Sequence, residues 1–318
     1  MIKILEIKNF KSIKHLKLDC KKINIFLGEP NVGKSNILES LGLLSFTCYS
    51  WQNNVHDFVR FEKATNLFHD DSLEETCEIR FDDEPLILSG KGGRFIAEWR
   101  GKEILRGNYD DLNGRTQDAT LAAFKFYRFA VTQVFPRQES EFLLPPSGAN
   151  LMALLQSHKD LRAATNRLFA PYGLRLGLRA HENRIEVIKH AEDIIISYPY
   201  SLTSDTLQRL VFYLSALLSN KDSVIIFEEP EAHAFPYHTK YLAETIALDE
   251  RSNQFFLSTH NPYLLLPLLE KAGREDVAVF ITYFEGYQTK VKLLSEKSMR
   301  ELTEIDVFSN LERFLPKR

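Results

Sequence analysis

Residues 28–35 read Gly-Glu-Pro-Asn-Val-Gly-Lys-Ser, a complete G-x-x-x-x-G-K-[ST] phosphate loop. The alternating run Ile23-Asn24-Ile25-Phe26-Leu27 leads into it, and a helical pattern of Ile37, Leu38, Leu41 and Leu44 leads out. Such a loop needs a strand before it and a helix N-terminus after it, so it fixes a strand–loop–helix unit within an α/β fold. In that setting the backbone N–H groups of Asn31, Val32 and Gly33 face a chain of phosphates. Lys34 is expected to reach the β- and γ-phosphates, and the Ser35 hydroxyl to ligate Mg2+. Gly28 and Gly33 allow close backbone approach, and Asn31 tolerates a left-handed conformation. The expected ligand is a nucleoside triphosphate with Mg2+.

Two further segments have the same build, a hydrophobic strand ending in polar residues. Val224-Ile225-Ile226-Phe227 runs into Glu228-Glu229-Pro230-Glu231-Ala232-His233. Adjacent carboxylates at a strand end repel each other, which favours a cation site over a solvated acidic turn. Glu228 is the expected Mg2+ residue and Glu229 the general base for an attacking water. Phe255-Phe256-Leu257 runs into Ser258-Thr259-His260-Asn261-Pro262, with Asn261 reading as a helix cap and Pro262 as the first helical residue. A lone histidine is more often structural. Here its place after the phosphate loop and the carboxylate strand makes His260 a candidate for contact with the γ-phosphate or the water.

Around these segments the chain reads as one domain over residues 1–318. Residues 52–130 are polar and turn-rich, with short strands at Thr76–Phe81 and Phe95–Trp99, and predict an inserted antiparallel β-lobe. Residues 145–182 predict a small helical lobe that opens after Pro145-Pro146. Over 183–318 strand and helix alternate, which predicts parallel strands with crossover helices and the second part of the core. Leu207, Leu210, Val211, Leu214, Leu217 and Leu218 mark a strong amphipathic helix there.

A net charge of −3 argues against a protein that coats nucleic acid. Seven lysines between Lys3 and Lys22, and a second set of Arg162, Arg167, Arg175 and Arg179, leave room for a local DNA contact, with solvated faces as the plainer reading. Cys20, Cys48 and Cys77 show no metal or disulfide spacing. No apolar run reaches the length of a membrane span, and the N-terminus lacks a signal-peptide core. The expected location is the cytoplasm, with no membrane partner.

Together the three segments resemble an ABC-type ATPase head of the RecF, SMC and OLD (overcoming lysogenization defect) group. Ile7-Lys8-Asn9-Phe10-Lys11-Ser12-Ile13 is similar to that group's first strands and turn, Gly28–Asn36 to its Walker A, Glu228–His233 to its Walker B with the following loop, and Ser258–Pro262 to its switch-histidine segment. The resemblance implies an ATPase with a P-loop NTPase core, a mostly parallel sheet, an antiparallel β-lobe and a helical lobe. It implies ATP and Mg2+ as cofactors, and Lys11 and Asn36 near the nucleotide. It also implies an ATP-dependent homodimer in which a signature serine meets the partner's γ-phosphate. Ser204 is the candidate, although Thr206 stands where the family has glycine and a plain helix cap explains Ser204 equally well. Either Gln133 or Gln138 would sense Mg2+. OLD proteins carry a nuclease domain that no segment here resembles. Long heptad runs of SMC type are missing too. The implied role is to act on DNA or a separate effector protein, in DNA repair or anti-phage defence. The rivals are a non-catalytic ATP-gated scaffold and an ABC transporter subunit, the latter disfavoured by the missing L-S-G-G-Q.

Overall fold

The computed structural model describes residues 1–136, 138–305 and 308–316. β1 (Ile4–Phe10) and β2 (Ile13–Asp19) form a hairpin, and β3 (Ile23–Leu27) enters the phosphate loop. α1 (Lys34–Tyr49) leaves it. β4 (Cys77–Phe81), β5 (Glu84–Lys91), β6 (Arg94–Trp99), β7 (Lys102–Gly107) and β8 (Leu112–Asn113) follow. Next come a single-turn α2 (Ala119–Ala122), β9 (Phe124–Tyr127), α3 (Leu151–Ser157) and α4 (Lys159–Phe169). β10 (Leu174–Arg179), β11 (Arg184–Ala191) and β12 (Ile194–Pro199) make a separate antiparallel sheet. The last stretch runs through α5 (Asp205–Ser219), β13 (Val224–Glu228), α6 (Pro236–Ala247), β14 (Gln254–Ser258), α7 (Pro262–Lys271), β15 (Val277–Glu285), β16 (Gln288–Leu293) and α8 (Glu296–Glu304).

The central sheet has the order β16-β15-β3-β14-β13-β9. All its pairings are parallel except β15 with β16. Parallel strands end on the same side, so the phosphate loop, the Ser258–His260 tip and the Glu228–Glu229 tip lie next to one another at the carboxyl edge. Ligands of open α/β sheets bind at that edge.

Strand alternation divides the apolar side chains between two layers. Ile25, Phe227, Phe255 and Leu257 pack with α5, α6 and α7. Phe26, Ile226, Phe256 and Phe280 pack with α1 and the β1–β4 side. α1 lies between two sheets and is buried from Ile37 to Tyr49, which explains its apolar character on every face.

The second sheet, β2-β1-β4-β5-β6-β7-β8, is antiparallel throughout. It takes in the N-terminal hairpin, because β1 pairs with β4 (Ile7 opposite Ile79). β9 falls within residues 52–130 yet belongs to the central sheet, with Phe126 opposite Ile226. Its four residues, Phe-Lys-Phe-Tyr, are too few to show a period.

Candidate functional site

The loop is shaped by residues on both sides of it. Gly33 precedes α1 with φ of 97°, and a Cβ there would lie 1.9 Å from Thr289 Oγ1. Buried Thr289, on β16, donates to the Val32 carbonyl at 2.9 Å and lies 2.6 Å from Ser12 Oγ. Asn36 Nδ2 donates to the same Ser12 oxygen at 2.6 Å. Asn31 takes φ of 62°. Gly28 and Val32 sit on the β15–β16 side of the loop; a Cβ at Gly28 would meet the Thr282 carbonyl at 2.3 Å. Lys34 curls back, donating to the Gly28 and Glu29 carbonyls at 3.0 and 2.7 Å. Burial pushes its ammonium down to about 8, against the pull of Glu229 and Glu228. Asn31, Gly33, Lys34, Ser35 and Asn36 line a cavity of about 810 Å³ with Lys11, Glu39, Arg60, Glu229 and His260, a size that suits a nucleotide; Gly28 and Val32 line a separate cavity against β15 instead.

Glu228 ends β13 opposite Ser258. Burial raises its carboxyl pKa, but a hydrogen bond from Ser35 and the charges of Arg60 and Arg128 outweigh this and lower it. The hydroxyl and carboxylate expected to hold Mg2+ are therefore neighbours and the carboxylate is ionised, an oxygen pair that fits a hard cation. Arg60 Nη2 bonds Glu228 Oε1 at 2.9 Å, and Arg128 Nη2 lies 3.4 Å from Oε2. The same arginines reach Glu39 Oε1, at 2.6 and 3.4 Å. Lys11 Nζ bonds Glu39 Oε2 and the Arg60 carbonyl.

Glu229 follows in a left-handed conformation, φ 44°, that turns its side chain into the cavity. Its Oε1 lies 3.3 Å from His260 Nε2. Burial and then the Lys34 charge lower the His260 pKa, so the imidazole is neutral at pH 7. Behind this pair, Glu231 is buried and accepts from Thr259 Oγ1 at 2.5 Å and from the His260 backbone N–H at 3.4 Å. Burial raises the Glu231 carboxyl to about 7. The turn after β13 is thereby fastened to the turn after β14.

Other expected residues lie elsewhere. Ser204 is the N-cap of α5, and its hydroxyl accepts from Leu207 N at 3.4 Å. It does not line the loop cavity of its own chain. Thr206 Oγ1 donates to the His233 carbonyl at 2.7 Å, which ties that helix end to the turn beyond Glu229. Neither Gln133, which is exposed, nor Gln138, beside Cys48, Tyr49 and Arg115, lines the loop cavity. Several members of the basic sets have partners within the chain. Lys8 pairs with Glu78, Lys21 and Lys22 bond carbonyls, and Arg162 bonds those of Leu155 and Gln156. Sequence reasoning missed Glu39, Arg60, Arg128, Glu231 and Thr289. A lone carboxylate in an apolar helix, four residues after Ser35, was the one visible signal, at Glu39.

The family model described as "AAA domain, putative AbiEii toxin, Type IV TA system" matches residues 23–266. No curated protein matches the sequence. Among solved structures, the Smc head bound to the C-winged helix domain of ScpA superposes with a TM-score of 0.59 at 17% identity, over 94% of this chain and 99% of that one. The Smc head domain with an extended coiled coil, bound to the C-terminal domain of ScpA from Pyrococcus furiosus, gives 0.57 at 15% identity, over 96% and 99%. The chain therefore has the P-loop fold of SMC heads. Among the described residues no helix is long and apolar enough to cross a membrane.

Proposed function

Because the chain belongs to that AAA-domain family, we propose that it binds ATP with Mg2+ in the loop cavity and hydrolyses it. The convergence of Lys34, Ser35, Glu228, Glu229 and His260 on one edge of the sheet carries this reading. Lys34 leaves the Gly28 and Glu29 carbonyls for the β- and γ-phosphates. Mg2+, when bound by Ser35 and Glu228, supplies charge neutralisation for the β- and γ-phosphate oxygens. Glu229 accepts a proton from water as the water oxygen bonds to the γ-phosphorus and the bond to the β-phosphate oxygen breaks. His260, neutral and fixed through Glu231, donates to a γ-phosphate oxygen.

We assign Ser204, which caps α5 away from its own chain's cavity, to the phosphate of a second copy in an ATP-dependent homodimer. Opening and closing of that dimer would act on a separate effector protein or on DNA, in DNA repair or anti-phage defence. The SMC heads in both structures are bound to ScpA domains. That favours a protein effector. A second reading, an ATP-gated scaffold with negligible turnover, draws on the two arginines that occupy Glu228. Turnover and ATP binding measured side by side separate the two. Turnover that vanishes in Glu229→Gln while binding persists supports hydrolysis. Wild-type binding without turnover selects the scaffold. No ATP binding by the wild type rejects both.

A further inference from the structure

Glu39 has no accessible surface, and its two oxygens bond Lys11, Arg60 and Arg128. A carboxylate is stable in such a place only when cations surround it. Two of those cations also hold Glu228, so Glu39, Arg60, Glu228 and Arg128 form a closed ring of alternating charge. The two sides of the ring are unequal. Glu39 is fixed within α1, one turn beyond Ser35, whereas the Arg60 side chain is 58% exposed and lines the cavity. The guanidiniums of Arg60 and Arg128 satisfy the charge of Glu228. A cation arriving with a nucleotide must take that charge from them, and Glu39 is the carboxylate that still bonds both guanidiniums once they let go of Glu228.

Building on the ATP-binding reading, we propose that Glu39 is a positioning residue of this site. It retains Arg60 and Arg128 while Glu228 exchanges them for Mg2+, and so sets how readily Glu228 becomes available. With Glu39 in place, the arginines leave one carboxylate without losing the other. Without it, Glu228 is the remaining carboxylate for both, and they hold it more tightly.

The test is a Mg2+ titration of fluorescent ATP-analogue binding to the full chain, with a parallel affinity measurement in EDTA. Glu39→Gln should raise the Mg2+ midpoint, and Arg60→Ala should lower it, each by at least about fivefold, the lower end of ordinary coupling between two sites. Combining the two substitutions should bring the midpoint back toward that of the wild type. A purely structural role for Glu39 would weaken binding equally in EDTA and in Mg2+, and that result overturns the proposal. So does an unchanged or raised midpoint in Arg60→Ala, which decides the matter even if Glu39→Gln does not fold. Wild-type protein that binds no analogue in either condition would reject the ATP reading, and this proposal with it. Wild-type binding with unmoved midpoints in the variants rejects this proposal alone.

Discussion

Glu229 Oε1 and His260 Nε2 lie 3.3 Å apart at the tips of neighbouring parallel strands, so the expected base and the expected phosphate donor are already in contact. The pair is lined up from behind by Glu231, which accepts from the Thr259 hydroxyl and from the His260 backbone. Glu229 adopts a positive φ to face the cavity, a conformation a non-glycine residue holds only when its surroundings enforce it.

Replacing Glu229 by Gln removes the proton acceptor and keeps the shape. Turnover should fall by roughly 10²–10⁴-fold, the span of general-base effects. ATP affinity should stay within a few-fold of wild type, because no phosphate contact is lost. Steady-state phosphate release with parallel equilibrium binding checks both halves. A variant that turns over at the wild-type rate would remove Glu229 from the base role.

ATP binding should weaken as pH rises through about 8, where the buried Lys34 ammonium loses its proton. The charged form binds phosphate, so affinity is complete below that pH and declines above it. Lys34→Ala should lose roughly 1.5–3 kcal/mol of binding, the worth of a hydrogen bond to a charged group, and its remaining affinity should lose the pH dependence. Binding isotherms between pH 6.5 and 9.5 on both proteins decide this. Parallel curves would mean that Lys34 is not the titrating group.

Glu231 gives a stability signature of its own. Its folded pKa, about 7, lies above the usual carboxylate value of 4.5, so the folded state holds the proton more tightly than the unfolded chain. This contribution is complete below about pH 4.5 and is lost as pH rises through about 7. The difference is up to about 3 kcal/mol at 1.36 kcal/mol per pH unit. Glu231→Gln should remove that pH dependence and gain stability over wild type above pH 7. Denaturant midpoints at pH 5 and pH 8 for both chains test it, and an equal pH shift in both would refute the assignment.

The central sheet was legible because β3, β13 and β14 are buried on both faces: β13 and β14 show as apolar runs with polar tips, and β3 is broken only by Asn24. The loop residues were legible because a phosphate loop is a local motif. What sequence could not show was pairing over distance. Arg60 and Glu228 are 168 residues apart, and no periodicity links them. Thr289 is one of several polar residues on an edge strand, and its role exists only because β16 brings it beneath Gly33. The alternation of the N-terminal hairpin is the same in either sheet, so the sequence does not show which sheet it joins. Its partner strand, β4, settles the matter.

Ser204 separates a cap from a composite site. As the N-cap of α5 it contributes about 1 kcal/mol, so Ser204→Ala should lower stability by about that much whatever its other role. If the serine also meets the phosphate of a second copy, Ser204→Ala should abolish ATP-dependent dimerisation in the Glu229→Gln background, as read by light scattering. Mixing then offers a sharper measurement. A Lys34→Ala chain keeps its serine, and a Ser204→Ala chain keeps its loop. A heterodimer of the two therefore contains one site with an intact Lys34 and an intact Ser204. Turnover in the mixture should exceed the sum of the separate inactive proteins, and should rise to a maximum near equal proportions. A mixture no more active than its components would leave Ser204 as a helix cap alone, and any partner in the site would then be a different chain.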